Sequence, residues 1–191
     1  GTVHWQSIDW PAAYRTVRTL RRRIYRATEM RDWKTVRSLQ KLMLRSRANL
    51  LVSIRRVSQI NRGKASPGVD AQTALTPTER ADLANHLAGL KAWKPLPARR
   101  VYIPKASGKK RPLGIPSLID RCQQAIVLNA LEPCWEAQFE GTSYGFRPGR
   151  GVHDAIERIY QATKSGSNRV WVLDADIKGC FDNIDHDALM E

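Results

Sequence analysis

The chain has 191 residues, 42% of them hydrophobic and 26% charged, and this balance indicates a folded globular protein rather than a disordered one. No apolar run approaches the roughly 20 residues of a membrane span, and the net charge of +14 favours an anionic partner. The cysteines Cys122, Cys134 and Cys180 lie far apart without a Cys-x-x-Cys pair, which argues against disulfides or a zinc site and predicts reduced, buried thiols in a cytosolic protein.

The positive charge is concentrated at the N-terminus. Residues 1–62 hold 15 Lys and Arg against Asp9, Glu29 and Asp32, whereas residues 63–191 hold 17 against 15 acidic residues. Such a block, made mostly of Arg, favours a polyanion, and nucleic acid is the common partner. The charge distribution therefore predicts an N-terminal nucleic-acid-binding segment.

Two basic amphipathic helices are predicted in this segment. Asp9, followed by Pro11, and Asp32 are both N-cap signals. Apolar residues follow each cap at helical spacing, and the second stripe continues as far as Val57. These apolar positions are Tyr14, Val17, Leu20, Ile24 and Ala27, then Val36, Leu39, Met43, Leu50, Ile54 and Val57.

The basic residues between the two stripes are the candidate RNA contacts. They are Arg15, Arg18, Arg21, Arg22, Arg23 and Arg26 in the first helix and Lys34, Arg37 and Lys41 in the second. The alternative is a solvated basic surface over a small helical core, although a merely solubilising face usually mixes both signs of charge. Membrane-surface binding is disfavoured because the stripes are regular and lack a broad Trp, Phe and Leu face.

A loop and a short helix follow. Residues 61–70 contain two glycines and a proline and predict a loop that carries Arg62 and Lys64. The segment resembles the loop that precedes the fingers in group II intron enzymes and helps to hold template RNA there, which makes these two residues candidate RNA contacts; the alternative is an ordinary linker. Thr76 or Thr78 beside Pro77 then predicts the start of a short helix.

The pattern changes to period two from Arg99, where Val101 and Ile103 alternate with polar residues and a turn at Gly108 leads into a return strand. This pattern predicts a β-hairpin. Further on, Asp120 is a candidate helix cap, a second helix is expected from about residue 151 to 162, and residues 170–173 predict a buried strand.

Three blocks of the sequence resemble motifs of group II intron-encoded reverse transcriptases, in the order in which those enzymes carry them. The blocks are Tyr102–Pro116 (YIPKASGKKRPLGIP), Ser143–Arg150 (SYGFRPGR) and Asp174–His186 (DADIKGCFDNIDH). The segment from Trp5 to Arg62 is similar to the N-terminal extension of the bacterial members. The resemblance covers essentially the whole chain and implies an α+β fold, with right-hand polymerase fingers, an incomplete palm and a basic α-helical N-terminal extension.

Three segments are therefore predicted. Residues 1–62 form the basic helical extension that binds RNA, and residues 63–168 form the fingers and upper palm. Residues 169–191 form a truncated first palm strand with the catalytic motif.

The acidic block is the expected catalytic site. A polymerase uses two metal ions about 3.5–4 Å apart, and Mg²⁺ prefers oxygen ligands, so a carboxylate at the end of a strand is well suited. The resemblance implies that Asp176 is catalytic and binds Mg²⁺ together with the Ile177 carbonyl. It also implies that Ile177 and Phe181 contact the nucleotide, with Phe181 under the sugar to exclude a 2′-hydroxyl. Without the surrounding motif, Phe181 is equally well explained as a core aromatic.

The other two blocks supply basic residues. Lys105 and Arg111 match the family's nucleotide-binding positions in the fingers, where both can contact a triphosphate. Arg147 and Arg150 precede a helix, where guanidinium and backbone N–H groups can meet RNA phosphates; the alternative is that this block only forms a turn.

The implied function is an RNA-directed DNA polymerase and maturase that binds intron and template RNA and, in the full-length protein, a DNA primer and dNTP, with no membrane partner. The family's later Tyr-Ala-Asp-Asp motif does not occur in this sequence. We therefore expect this chain to bind RNA without polymerising. The alternatives are a non-catalytic RNA-binding maturase-like module and a defence-associated reverse transcriptase. Uncovered palm surface would also permit a homodimer.

Overall fold

The computed structural model describes residues 3–90, 92–104, 106, 108–164, 166, 171–177, 179–180 and 183–190. The chain divides into two compact units, Gly1–Phe139 and Glu140–Glu191. The first unit contains α1 (Trp10–Glu29), α2 (Trp33–Arg45), α3 (Arg47–Arg55), α4 (Pro77–Gly89), β1 (Arg99–Pro104), β2 (Lys110–Ile115) and α5 (Leu118–Glu136). The second contains α6 (Val152–Thr163) and α7 (His186–Met190). Lys105 and Phe181 lie outside the described residues.

Both predicted N-caps of the basic helices are confirmed. Ala12 N donates to Asp9 Oδ1 at 2.9 Å at the start of α1, and Thr35 N donates to Asp32 Oδ1 at 3.0 Å at the start of α2. The hydrogen bonds from Thr35 hold the pKa of Asp32 below its usual range. Each carboxylate satisfies a backbone N–H that has no partner inside the helix.

The prediction of one long second helix was wrong. The backbone at Ser46 is extended, and this residue ends α2 and caps α3, with Asn49 N donating to Ser46 Oγ at 3.4 Å. A serine hydroxyl competes with the helix for backbone N–H groups, so the apolar stripe continues across a break that periodicity does not reveal. A π-helical turn, Arg56–Ile60, then follows α3 directly.

Helices α1 to α3 share their core with α5. The apolar residues of this cluster are Ala13, Val17, Leu20, Ile24, Ala27, Val36, Leu39, Met43, Val52 and Ala130. A second cluster joins Trp5 and Ile54 to α4 and to Leu118 and Cys122 at the start of α5. The N-terminal helices are thus buried partly by a helix far along the chain, while the segment boundaries at residues 62 and 168 stay predictions.

A buried polar network crosses this core. Asn49 is fully buried, and its Nδ2 donates to the Met43 carbonyl at 3.0 Å and to the Ile126 carbonyl at 3.1 Å. Asn129 Nδ2 donates to Asn49 Oδ1 at 2.7 Å. Because an unpaired polar group is costly to bury, these bonds fix the position of α5 against α2 and α3.

The short helix and the hairpin are confirmed. Thr76 caps α4 and forms a capping box with Glu79, whose side chain accepts from Thr76 N at 2.8 Å. Strands β1 and β2 pair antiparallel, with Ile103 opposite Arg111. The described part of the chain is therefore mainly helical with one small two-stranded sheet.

Asp120 is not the N-cap of α5, contrary to the sequence prediction. Ser117 is the cap, because its Oγ accepts from Asp120 N at 3.1 Å. The Asp120 carboxylate instead accepts from Trp93 Nε1 at 2.8 Å and from Leu96 N at 3.2 Å, which ties the linker before the hairpin to the helix start. Burial raises the pKa of Asp120, but the hydrogen bonds from Ser117, Trp93 and Leu96 together outweigh it and hold the pKa below its usual value.

Asp120→Asn is expected to lower the free energy of unfolding by about 1–3 kcal/mol at pH 7, because the amide leaves a buried N–H donor unpaired. Because the pKa of Asp120 is lower in the folded state than in the unfolded state, its charge stabilises the protein at pH values above the unfolded pKa of about 4. This stabilisation is lost as pH falls through the folded-state pKa. Denaturant unfolding at pH 7 and pH 3 should therefore show the difference between variant and wild type shrink in acid. The exposed Asp82→Asn is the control; an undiminished Asp120→Asn effect at pH 3 contradicts the role of the charge.

The prediction of a buried strand over residues 170–173 was wrong for residues 171–173, and Val170 lies outside the described residues. Trp171, Val172 and Leu173 have no regular structure and are 82–93% exposed. A strand needs a neighbour for its backbone hydrogen bonds, and the one sheet of the described chain is the β1–β2 hairpin. The helix predicted near residues 151–162 is confirmed as α6.

The cysteines differ in exposure, although all three were expected to be buried. Cys122 is buried, Cys134 is half-buried and Cys180 is exposed, and all are free thiols. Burial raises the pKa of the Cys122 thiol to about 12. Iodoacetamide at pH 8 should therefore modify Cys180 first and reach Cys122 only after denaturation, because the thiolate is the reacting form. Peptide mass spectrometry over time measures this, and equal native rates for the two thiols would refute it.

Candidate nucleic-acid interface

Helix α1 presents a continuous stripe of guanidinium groups. Arg15, Arg18, Arg22 and Arg26 are exposed, and their spacing of three or four residues places them along one side of the helix. Arg23 is also exposed. No residue from Trp10 to Thr28 is acidic, so no carboxylate within the helix neutralises this stripe before Glu29.

Arg21 differs from the other arginines of α1. It is half-buried, its Nη1 donates to Asn129 Oδ1 at 3.2 Å, and its Nη2 forms an ion pair with Glu132. Arg21 therefore joins α1 to α5, and the structure shows it in an anchoring position rather than on the exposed stripe.

The remaining predicted contacts of the first unit are exposed. Lys34, Arg37 and Lys41 repeat at three and four residues along α2, and Arg37 Nε donates to the Trp33 carbonyl at 3.3 Å. Arg62 and Lys64 lie in a 3₁₀ turn, Arg62–Ala65.

The loop that carries this turn is fixed to the elements behind it. Arg121 Nη1 donates to the Gly63 carbonyl at 3.1 Å, and Arg99 Nε donates to the Pro67 carbonyl at 3.0 Å. A Cβ on Gly68 would lie 2.6 Å from Ser117 Cα, so only glycine allows the loop to approach α5 this closely. The confirmed loop thus holds its basic residues in a defined place.

A cation–π cluster beside the stripe was missed by the sequence interpretation. The Arg55 guanidinium lies 4.4 Å from the ring centroid of Trp10 and 5.7 Å from that of Tyr14. Trp10 and Tyr14 are four residues apart in α1, which is a visible signal for one aromatic face. The arginine that joins them comes from α3 and could not be assigned from local spacing.

In the second unit, the basic residues of the SYGFRPGR block bind their own turn. Arg147 is buried, and its Nη1 donates to the carbonyls of Glu140 at 2.6 Å and Ser143 at 2.8 Å. The Arg150 guanidinium lies 5.5 Å from the ring centroid of Tyr144. These contacts favour the alternative in which the block only forms a turn. Phe146 in the same block has a positive φ of 57° and is fully exposed.

The predicted nucleotide and metal residues are only partly described. Arg111 is exposed in β2, and Asp176 and Ile177 are exposed in a segment without regular structure. Within the described ranges, no group of three or more His, Cys, Asp or Glu residues is placed to hold a metal ion. The described residues thus include the Asp176 carboxylate but no assembled metal site.

Asp185, another aspartate of the DADIKGCFDNIDH block, caps a short helix. Its Oδ1 accepts from Asp187 N at 3.0 Å and from Ala188 N at 3.1 Å at the start of α7. It therefore stabilises the start of α7.

Comparison with known families assigns both halves of the chain. Residues 5–87 match the N-terminal domain of reverse transcriptase, and residues 103–191 match the reverse transcriptase (RNA-dependent DNA polymerase) domain. The chain belongs to the reverse transcriptase family. The basic helices thus lie in the N-terminal domain, and Arg111 and Asp176 lie in the polymerase domain.

Several relatives show which branch of the reverse transcriptases this is. Protein YkfC of Escherichia coli is 43% identical over 160 residues, covering 78% of this chain and 41% of that protein. Group II intron-encoded protein LtrA of Lactococcus lactis is 41% identical over 133 residues, covering 68% of this chain and 22% of LtrA. Maturase-like protein 1 of Euglena gracilis is 29% identical over 191 residues, covering 98% of this chain and 42% of that protein. Within the reverse transcriptase family, the chain is thus of the group II intron and maturase type, and it spans less than half the length of these relatives.

No helix among the described residues is long and apolar enough to cross a membrane.

Proposed function

We propose that the protein carrying this chain is an RNA-directed DNA polymerase that also assists the splicing of its own intron, acting in the cytosol. Within that protein, the role of this chain is to bind intron and template RNA. The observation that supports the proposal is the exposed arginine stripe of α1, which no acidic residue of the helix neutralises between Trp10 and Thr28. Planar guanidinium groups bind phosphate oxygens through paired hydrogen bonds, so Arg at these positions suits an RNA backbone.

Helix α1, which carries the stripe, is held in a fixed position by its packing and by a bond to α5. A fixed helix favours binding to structured RNA. The buried residues of α1, among them Val17 and Ile24, pack into the shared core, and Arg21 joins the helix to α5. A phosphate contact made from a fixed helix loses less conformational freedom on binding than one made from a mobile tail.

RNA binding by the 191-residue chain should therefore depend steeply on salt. Fluorescence anisotropy with a labelled, structured RNA is expected to show log affinity falling linearly with log salt, with a slope of about −0.7 to −0.9 for each phosphate neutralised. Absence of binding at low salt, or a slope near zero, would contradict the proposal.

We also propose that the whole protein binds Mg²⁺ through Asp176 and the Ile177 carbonyl, and binds dNTP through Lys105, Arg111, Ile177 and Phe181 beside a DNA primer. Exposed carboxylate and carbonyl oxygens are suitable Mg²⁺ ligands, and the bound ion would supply charge stabilisation to phosphoryl transfer. The described residues do not assemble the metal site by themselves. The chain by itself is therefore proposed to give no primer extension with RNA template and dNTP.

The second candidate is a non-catalytic RNA-binding maturase-like module. The exposed arginine stripe of α1 supports this candidate, because RNA binding through the stripe needs no metal site. Primer extension by the whole protein separates the two functions, because the module would bind RNA and extend nothing.

A homodimer remains a further proposal, supported by the exposed apolar residues Val152, Ile156 and Ile159 of α6.

A further inference from the structure

A groove lies between α1, the π-turn Arg56–Ile60 and α5 in the first unit. It encloses about 450 Å³, within the roughly 300–1,000 Å³ typical of small-ligand sites. Tyr14 and Arg18 line it from α1, and Arg56 and Ile60 line it from the π-turn. The groove thus combines an aromatic ring, an exposed aliphatic side chain and guanidinium groups.

The two outer guanidinium groups are free to bind an anion. Arg18 and Arg56 are exposed, and neither guanidinium group has a hydrogen bond or ion pair within the part of the chain that the structure describes. Arg21 also lines the groove, but its guanidinium group is already bound to Asn129 and Glu132. The groove therefore presents two uncommitted positive charges beside one fixed one.

A cation–π contact holds the Tyr14 ring of the groove in place. Tyr14 is half-buried, and the Arg55 guanidinium lies 5.7 Å from its ring centroid while also contacting Trp10. A ring held by cation–π contact loses little freedom when a planar ligand stacks on it.

The π-turn brings the opposite wall into position. It places Ile60 in the groove although this side chain is 59% exposed, and buried Arg80 fixes the turn by donating Nη2 to the Ser58 carbonyl at 3.2 Å. A π-turn is a rare departure from α-helix that occurs frequently at functional sites. The presence of this turn beside an exposed isoleucine is an observation independent of the charges.

We propose that this groove, the base pocket, binds one unstacked nucleotide of a single-stranded RNA segment. The base lies between the Tyr14 ring and Ile60, and the flanking phosphates contact Arg18 and Arg56. An aromatic ring and an aliphatic side chain suit the two faces of a base, and bases that are splayed out of loops are commonly recognised by stacking. Arg18 also belongs to the α1 stripe, so a strand bound along the stripe passes directly over the pocket. This inference rests on the proposed function.

The base pocket predicts a preference that charge cannot produce. A hairpin with an unpaired uridine loop should bind more tightly than a fully paired duplex with the same number of phosphates. Stacking of one base predicts a difference of about tenfold. Tyr14→Leu should remove the preference because it keeps bulk without the ring, and Tyr14→Phe should retain it. Tyr25→Leu, on the same helix and outside the groove, is the matched control.

Affinities of both RNAs, measured by anisotropy at several salt concentrations, decide between the possibilities. Loss of the hairpin preference in Tyr14→Leu, with duplex affinity and salt slope unchanged, supports the base pocket. An equal affinity of wild type for both RNAs, or a preference that survives Tyr14→Leu, overturns the base pocket. In either case, salt-dependent duplex binding still supports the proposed function. No binding of either RNA at low salt overturns both.

A second variant covers the case in which thermal unfolding shows that Tyr14→Leu does not fold. Arg56 is exposed and outside the core, so Arg56→Gln leaves the fold unchanged and should weaken hairpin binding more than duplex binding. An unchanged ratio between the two RNAs in this variant overturns the base pocket.

Discussion

Replacing Arg15, Arg22 and Arg26 together by Gln is expected to lower the affinity of the chain for structured RNA about tenfold or more at moderate salt. These three arginines are exposed on one side of α1 and lie outside the core and outside the base pocket. Each lost phosphate contact should also reduce the slope of log affinity against log salt by about one. Anisotropy titrations over a range of salt measure both quantities.

The control for this triple variant removes the same charge elsewhere. Lys94, Arg158 and Lys164 are also exposed, and none of them lies on the basic helices. Their replacement by Gln should leave the affinity and slope much closer to wild type. If the two triple variants behave alike, net charge rather than the α1 stripe governs binding. The basic helices would then be the solvated surface that the sequence left as an alternative.

In the whole protein, Asp176→Asn is expected to reduce primer extension below detection while leaving RNA affinity unchanged. The amide removes the negative charge proposed to hold Mg²⁺, and position 176 is far in sequence from the basic helices. Primer extension on an RNA template and anisotropy with the same RNA separate the two effects.

Asp174→Asn is the matched control, because Asp174 is an exposed aspartate two residues away and is not one of the proposed Mg²⁺ ligands. Normal extension by Asp176→Asn would contradict the catalytic assignment of Asp176, whereas absence of extension by the wild-type whole protein would support the non-catalytic module. Loss of both extension and RNA binding would indicate that the variant is unfolded, and circular dichroism would identify that case.

Features with local causes were predictable from the sequence. Asp9 and Asp32 cap their helices through bonds to residues three positions away, and the β1–β2 hairpin follows from alternation around a turn. The family and the position of Asp176 after an apolar segment were equally readable, because the three motifs are continuous in sequence.

Features that depend on distant contacts were not predictable. The Asp120 carboxylate accepts hydrogen bonds from Trp93 and Leu96, which no local cap rule indicates. Arg55 of α3 contacts the rings of Trp10 and Tyr14 in α1, which are far from it in sequence. The apolar run before Asp176 has strand propensity, but strand formation requires a neighbouring strand. For the same reason the base pocket, built from α1, the π-turn and α5, has no signature in any single stretch of the sequence.

The bonds that Arg21, Asn49 and Asn129 make between the N-terminal helices and α5 also bear on the order of events during synthesis. Arg21 and Asn129 are 108 residues apart in the chain, so the helices that carry the positive charge leave the ribosome long before α5 does. At about 5–20 residues per second, several seconds pass in which the Asn49 side chain and the apolar face of α1 lack their covering helix. The nascent basic helices reach their final packing only when α5 has emerged, and until then the protein exposes both an RNA-attracting surface and an unfinished core.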